Sequence, residues 1–341
     1  MSGQEAPPVH GGQLGAFRRL FPEAPTPILD LSTGINPYPY KAPALPETHL
    51  TRLPEPEALA ALEAAAARAY GLAAGEAVAA PGSQALIGLL PRLLPPAEVA
   101  VLTPTYAEHA FAWRQAGHRV REVASLREAQ AAEIVVLCNP NNPDGRVITA
   151  ADLSAFAAPL AARGGLLVVD EAFADFAPDG VSVVPRLPAR GVIVLRSFGK
   201  ASGLAGLRLG FALAPADLAS RLRAALGPWP VSGAAITIGA AMLDDAAWRA
   251  AMAARLTEDA TRLDTALAAA GLAPRGGTAL FRLVESEDAA AVFARLGAAG
   301  ILVRRFPAHP RWLRFGLPGA AFPRLRAALA TLAEMRRNVL F

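Results

Sequence analysis

Four short aliphatic runs constrain the fold more than any other feature of the chain. "EVAVLTPTY", "EIVVLCNPNNP", "GLLVVDEAF" and "GVIVLRSFGK" each open on β-branched or aliphatic residues and close on polar or turn residues. Runs that are apolar throughout, rather than alternating, belong to strands buried on both faces, which is the situation of a parallel sheet covered by helices. The intervals between them leave room for crossover helices, and residues 107–116 and 150–162 carry suitable patterns. The expected architecture is therefore a doubly wound, mostly parallel α/β sheet. Ligands of such sheets bind beyond the carboxyl ends of the strands, so the residues that close the four runs become the candidates for chemistry.

The flanks set the expected domains. Residues 1–50, rich in Pro and Gly, form an N-terminal arm; 51–235 form the large domain, opening on the helix "PEPEALAALEAAAARAYGL"; 236–341 form a smaller α+β domain. In that smaller domain a long helix is expected over 240–270, then a strand at "TALFRLVES", a helix at "DAAAVFARLGAAG" and a strand at "WLRFGLP". The uncharged run "AALGPWPVSGAAITIGAAML" nominally reaches membrane-spanning length, but Gly227, Pro228, Pro230, Ser232 and Gly233 interrupt it, so it reads as a loop followed by a core helix.

Hydrophobic residues at 53% against 18% charged describe a folded globular chain. The formal charge of +4 comes from arginines scattered singly, which argues against a nucleic-acid partner. "MSGQEAPPVHGGQ" lacks the basic and apolar regions of a secretory signal, so a cytoplasmic protein with no membrane partner is expected. Cys138 is the only cysteine; it reads as a small buried hydrophobe, and no metal site is expected.

Lysine is nearly absent. Only Lys41 and Lys200 occur among 33 basic residues, and Lys200 sits between Ser197, Gly199 and Ser202. An amine can lose its proton and attack a carbonyl carbon, whereas a guanidinium cannot, so a chain that otherwise uses arginine has a chemical reason to keep this lysine. "APGSQALI" is a small-residue turn opening a helix, either an ordinary N-cap or an anion site. Asp170 ends an aliphatic run; it serves either as an N-cap or as a buried carboxylate that needs a cationic partner, such as a protonated heterocyclic nitrogen.

Taken in order, Asn142-Pro-x-Gly145, Asp170, Ser197-x-x-Lys200 and Arg208 resemble the fold-type I pyridoxal-phosphate enzymes over nearly the whole chain. The resemblance implies pyridoxal 5'-phosphate as cofactor, with Lys200 forming the Schiff base and Asp170 pairing with the pyridinium nitrogen. Asn142 would bond the phenolic oxygen and Tyr106 would stack on the ring. Ser83, Gln84, Ser197 and Arg208 would take the phosphate. Two positions depart from relatives of the histidinol-phosphate aminotransferase type: Leu53 stands where a cross-subunit tyrosine is usual, and Phe173 replaces the tyrosine of "DEAY".

"HGGQLGAFRRLFP" and "LDLSTGINPYPY" are similar to segments of the cobalamin-biosynthetic threonine-phosphate decarboxylases. That resemblance implies a phosphorylated amino-acid substrate contacted by His10, Gly11, Gly12, Asn36 and Arg314, and a homodimer. It implies loss of carbon dioxide from threonine phosphate to give an aminopropanol phosphate. The alternative is an aminotransferase of the histidinol-phosphate type. A pyridoxal-phosphate-binding regulator is the remote one: it needs a DNA-binding domain ahead of a segment that here begins by residue 10.

Overall fold

The computed structural model describes residues 7–188 and 190–338. Its strands are β1 (Leu29–Leu31), β2 (Glu76–Ala80), β3 (Glu98–Leu102), β4 (Arg119–Val123), β5 (Ile134–Cys138), β6 (Leu166–Asp170), β7 (Val192–Ser197), β8 (Gly210–Ala214), β9 (Pro274–Thr278), β10 (Phe281–Glu285), β11 (Ile301–Arg305) and β12 (Trp312–Gly316). Its helices are α1 (Leu14–Leu20), α2 (Thr48–Thr51), α3 (Pro56–Ala69), α4 (Ser83–Leu89), α5 (Glu108–Gln115), α6 (Leu126–Ala129), α7 (Ala150–Ala162), α8 (Phe198–Ala201), α9 (Ala216–Leu226), α10 (Gly233–Asp244), α11 (Ala246–Ala269), α12 (Ala289–Ala298) and α13 (Phe322–Asn338). Among the described residues no helix is long and apolar enough to cross a membrane.

The chain divides into two compact units. The first holds Pro39–Asn142 and Val147–Ala250; the second holds Val9–Tyr38, Pro143–Arg146 and the chain from Ala251 onward. In the first, seven strands run in the order β2-β8-β7-β6-β5-β3-β4. From β7 through β6, β5 and β3 to β4 every pairing is parallel, while β8 lies antiparallel between β7 and β2. The four aliphatic runs of the sequence are β3, β5, β6 and β7. Each strand is apolar on both sides because both faces are covered: Val135, Leu137, Val169 and Val194 pack into one buried cluster, and Val136, Val168, Ile193 and Leu195 into another.

The helix expected over 240–270 is two helices. Asp245 interrupts it with a non-helical backbone, and its Oδ1 accepts the Trp248 N–H at 2.8 Å, capping α11. The apolar periodicity continues through this joint, which is why it reads as unbroken.

In the second unit five strands run β1-β11-β12-β10-β9, with β1 parallel to β11 and the remaining pairs antiparallel. Pairing of Leu29–Leu31 with Ile301–Val303 makes the segment before residue 38 an edge strand of this sheet.

Candidate active site

Register brings the candidate cofactor residues to one edge of the seven-stranded sheet. Ser197 is paired with Gly210 and Gly210 with Ala80, so the end of β7, the start of β8 and the end of β2 lie side by side. Asp170 is flanked by Cys138 on one side and Leu195 on the other. The turn after β2 thus delivers Ser83 beside the segment that delivers Arg208, with Ser197 on the next strand.

Backbone and side chain approach closely at that corner. Gly82 has φ +89°, and a Cβ there would stand 2.6 Å from the Arg208 Nη2. A Cβ on Gly210 would stand 2.3 Å from the Ser83 nitrogen. Arg208 itself adopts the left-handed conformation at φ 54°, costly for a non-glycine residue, and its Nη1 donates to the Ala205 carbonyl at 3.2 Å. Glycines at 82 and 210 let Arg208 and the Ser83 backbone draw together there, and a serine at the helix start beside a guanidinium offers donors that fit an anion such as a cofactor phosphate.

Lys200 lies in the short helix α8, and its Nζ donates to the Ser197 Oγ at 3.4 Å and stands 5.3 Å from the centre of the Phe173 ring. The hydroxyl of Tyr106 donates to the Gln84 Oε1 at 3.0 Å, and the Gln84 amide donates in turn to Glu108 at 2.9 Å. Gln84 therefore links Tyr106 to the start of α4. Asn139 and Asn141 hold the loop after β5: Asn139 bonds the backbone of Ile148 and Val181, and Asn141 bonds the Pro104 carbonyl and the Thr105 hydroxyl. Asn142, the last of the three, is half-buried.

Asp170 is 4% exposed and has a partner that the sequence did not reveal. His109, on α5, lies with Nε2 2.9 Å from the Asp170 Oδ2, and the Ala172 N–H donates to Oδ1 at 3.0 Å. Burial alone would raise the carboxyl, but the bond and charge of His109 and the charge of Lys200 hold it below the usual carboxylate range. Burial likewise pulls the imidazole down, and the neighbouring Cys138 and Asp170 more than offset this, raising it to about 10. The contact with His109 and the charge of Lys200 thus favour the charged form of Asp170. That is the chemistry needed to keep a pyridine nitrogen protonated. Cys138 is buried as expected, with its sulfur 3.9 Å from the same carboxylate oxygen.

A second buried cluster stands behind this edge. Glu171, fully buried, accepts from the Ser182 hydroxyl at 2.6 Å, the Val183 N–H at 2.7 Å and the Arg196 Nη1 at 2.7 Å. Arg196 also reaches Asp175 at 3.3 Å and lies 4.2 Å over the Tyr70 ring. Each member of the Glu171–Arg196 pair is the chain neighbour of a candidate residue, Asp170 or Ser197.

The candidate substrate residues His10, Gly11, Gly12, Asn36 and Arg314 all belong to the second unit. Arg314, on β12, is 7% exposed and its Nη2 donates to the Ser32 carbonyl at 2.8 Å. The Gly12 N–H donates to the Ser32 Oγ at 2.7 Å. Asn36 is 2% exposed and its Oδ1 accepts the Tyr38 N–H at 2.9 Å, closing a turn. Leu53 is exposed.

A large, mostly parallel sheet with a lysine and a buried carboxylate at the carboxyl ends of its strands defines a class, and the chain belongs to the aminotransferase class I and II family, matching it over residues 26–332. Within it, the chain is 44% identical to a threonine-phosphate decarboxylase of Pseudomonas aeruginosa, over 95% of this chain and 98% of that protein. It is 45% identical to one from Sinorhizobium sp, over 96% and 99%. The crystal structure of histidinol-phosphate aminotransferase from Sinorhizobium meliloti in complex with pyridoxal-5'-phosphate superposes with a TM-score of 0.78 at 26% identity, covering 98% of each chain.

Proposed function

We propose that this protein is a pyridoxal-phosphate-dependent decarboxylase of L-threonine O-3-phosphate. The observation that carries the reading is the junction at Ser32, which joins the His10–Gly12 segment to Arg314. A histidine and glycine-rich backbone beside a buried guanidinium suit a substrate with two anionic groups. Threonine phosphate has a phosphate and a carboxylate; histidinol phosphate has no carboxylate to lose. The full-length likeness to proteins named threonine-phosphate decarboxylase supports the same choice.

Lys200 would bind the cofactor aldehyde, Asp170 its ring nitrogen and Asn142 its phenolic oxygen, with Tyr106 against the ring and Ser83, Gln84, Ser197 and Arg208 around the phosphate. Bound in this way, the cofactor supplies an electron sink conjugated with the substrate's α-carbon. His10 and Gly11 would contact the substrate phosphate, with Gly12 fixed through Ser32; Asn36 would contact the substrate, and Arg314 would hold an acidic group. By fixing the substrate's carboxylate, Arg314 would decide that the bond to the carboxylate, rather than the Cα–H bond, is the one weakened. Lys200, with a proton on its Nζ beside the Ser197 hydroxyl, would deliver that proton to Cα after carbon dioxide has left, so that a hydrogen replaces the carboxylate.

We further propose a cytoplasmic homodimer. Leu50, Leu53 and Trp229 are large apolar side chains left exposed, and a second copy would cover them. Sedimentation of the holoenzyme as a monomer would remove that part of the reading.

Product analysis tests the function. With threonine phosphate and no keto acid, the enzyme releases carbon dioxide and forms 1-aminopropan-2-ol phosphate over many turnovers. Turnover of histidinol phosphate that depends on 2-oxoglutarate, with no carbon dioxide from threonine phosphate, would establish the aminotransferase instead.

A further inference from the structure

Ser32 stands at the end of β1 and is 1% exposed, so each of its polar groups needs a partner. Its N–H and its hydroxyl both donate to the Asp30 Oδ1, at 2.8 and 2.6 Å. A hydroxyl has a single proton, and here it is committed to a carboxylate, so the oxygen's lone pairs are turned toward the Gly12 N–H at 2.7 Å. The carbonyl of the same residue takes the Arg314 Nη2 at 2.8 Å. The approach is close: a Cβ on Gly11 would stand 2.4 Å from the Ser32 carbonyl oxygen, so only glycine lets this backbone lie against Ser32.

One residue therefore ties down two groups from opposite ends of the chain, Gly12 and Arg314. We propose that Ser32, oriented by Asp30, is a positioning residue that sets the spacing between the His10–Gly12 segment and the Arg314 guanidinium, and so selects substrates with two acidic groups. This rests on the function proposed above. The hydroxyl acts through the Gly12 N–H it holds, while the carbonyl of the same residue holds Arg314.

The test uses Ser32→Ala and Asp30→Ala in the holoenzyme. Loss of the strap raises KM for threonine phosphate about tenfold in either variant, with kcat within about twofold of the parent. The two changes are not additive in the double variant, because they break one strap. The visible band of the Lys200-bound cofactor is unchanged, and amide hydrogen exchange across residues 7–14 accelerates in both variants. Unchanged KM and exchange in Ser32→Ala would overturn the proposal, as would an equal fall in kcat with loss of the visible band, which marks general damage. A substrate-independent arm separates this from the function: the Kd of inorganic phosphate, titrated against the holoenzyme, rises about tenfold in Ser32→Ala. If the parent fails to decarboxylate threonine phosphate yet this shift appears, the function is wrong and the strap stands. If phosphate affinity is the same in parent and variant, the strap is wrong whatever the substrate.

Discussion

Replacing Arg196 with methionine keeps most of the side-chain volume but removes the guanidinium that compensates Glu171. Arg196 is 4% exposed and Glu171 is fully buried, with 2.7 Å between Nη1 and the carboxylate. Removing one partner of such a pair leaves a stranded charge and costs about 3–5 kcal/mol. In a unit of roughly 200 residues each kcal/mol is worth about 2–4 °C, so the holoenzyme's melting temperature should fall by roughly 6–20 °C near pH 8. Burial already raises the Glu171 carboxyl, against the opposing pull of Arg196, and without that arginine it rises further. A folded-state pKa above the unfolded value means that the folded protein binds the proton more tightly, so the penalty is full above the folded pKa and shrinks as pH falls through it. Arg196→Met should therefore lose less stability near pH 5 than near pH 8, and Glu171→Gln added to it should recover part of the loss at the higher pH. Calorimetry of parent, single and double variants at both pH values measures this. A loss below about 1 kcal/mol near pH 8, or the same loss at both pH values, would refute the reasoning.

Lys200→Ala should abolish the visible absorbance of the bound cofactor while leaving the fold intact, whereas Lys41→Ala should leave the band in place; a spectrum of each variant decides. Asp170→Asn should retain cofactor but lose turnover, because a neutral side chain no longer holds the ring nitrogen protonated. The buried charge-assisted contact is worth about 2–5 kcal/mol, or roughly 30- to several-thousand-fold in kcat, and near-parental turnover would remove the assigned role.

What was legible in the sequence is what acts over a few residues. The aliphatic runs of β3, β5, β6 and β7 announce themselves because burial on both faces demands apolar side chains at every position. The residues that close them follow from being next in the chain. His109 escaped because its partner is 61 residues away and its own surroundings, "TYAEHAF", look like the first turn of an amphipathic helix. Arg196 and Glu171 escaped for the same reason, each masked by a more conspicuous neighbour. Ser32 lies within a quoted segment, yet Gly12 and Arg314 meet at it only through the pairing of β1 with β11 and of β11 with β12.

Strand parity recovers part of what was missed. Side chains alternate across a strand, so Asp170 shares a face with Val168, and Cys138 shares one with Val136. Val136 and Val168 pack in the same buried cluster as Ala110 and Trp113 of α5. A carboxylate at 170 must then emerge on the α5 face, and a polar side chain one turn before Trp113 is the group within reach of it. His109, four residues before Trp113, meets that condition. Shifting the register of β6 by one residue would turn Asp170 to the opposite face and strand the imidazole in an apolar cluster, so the ion pair and the strand register specify each other.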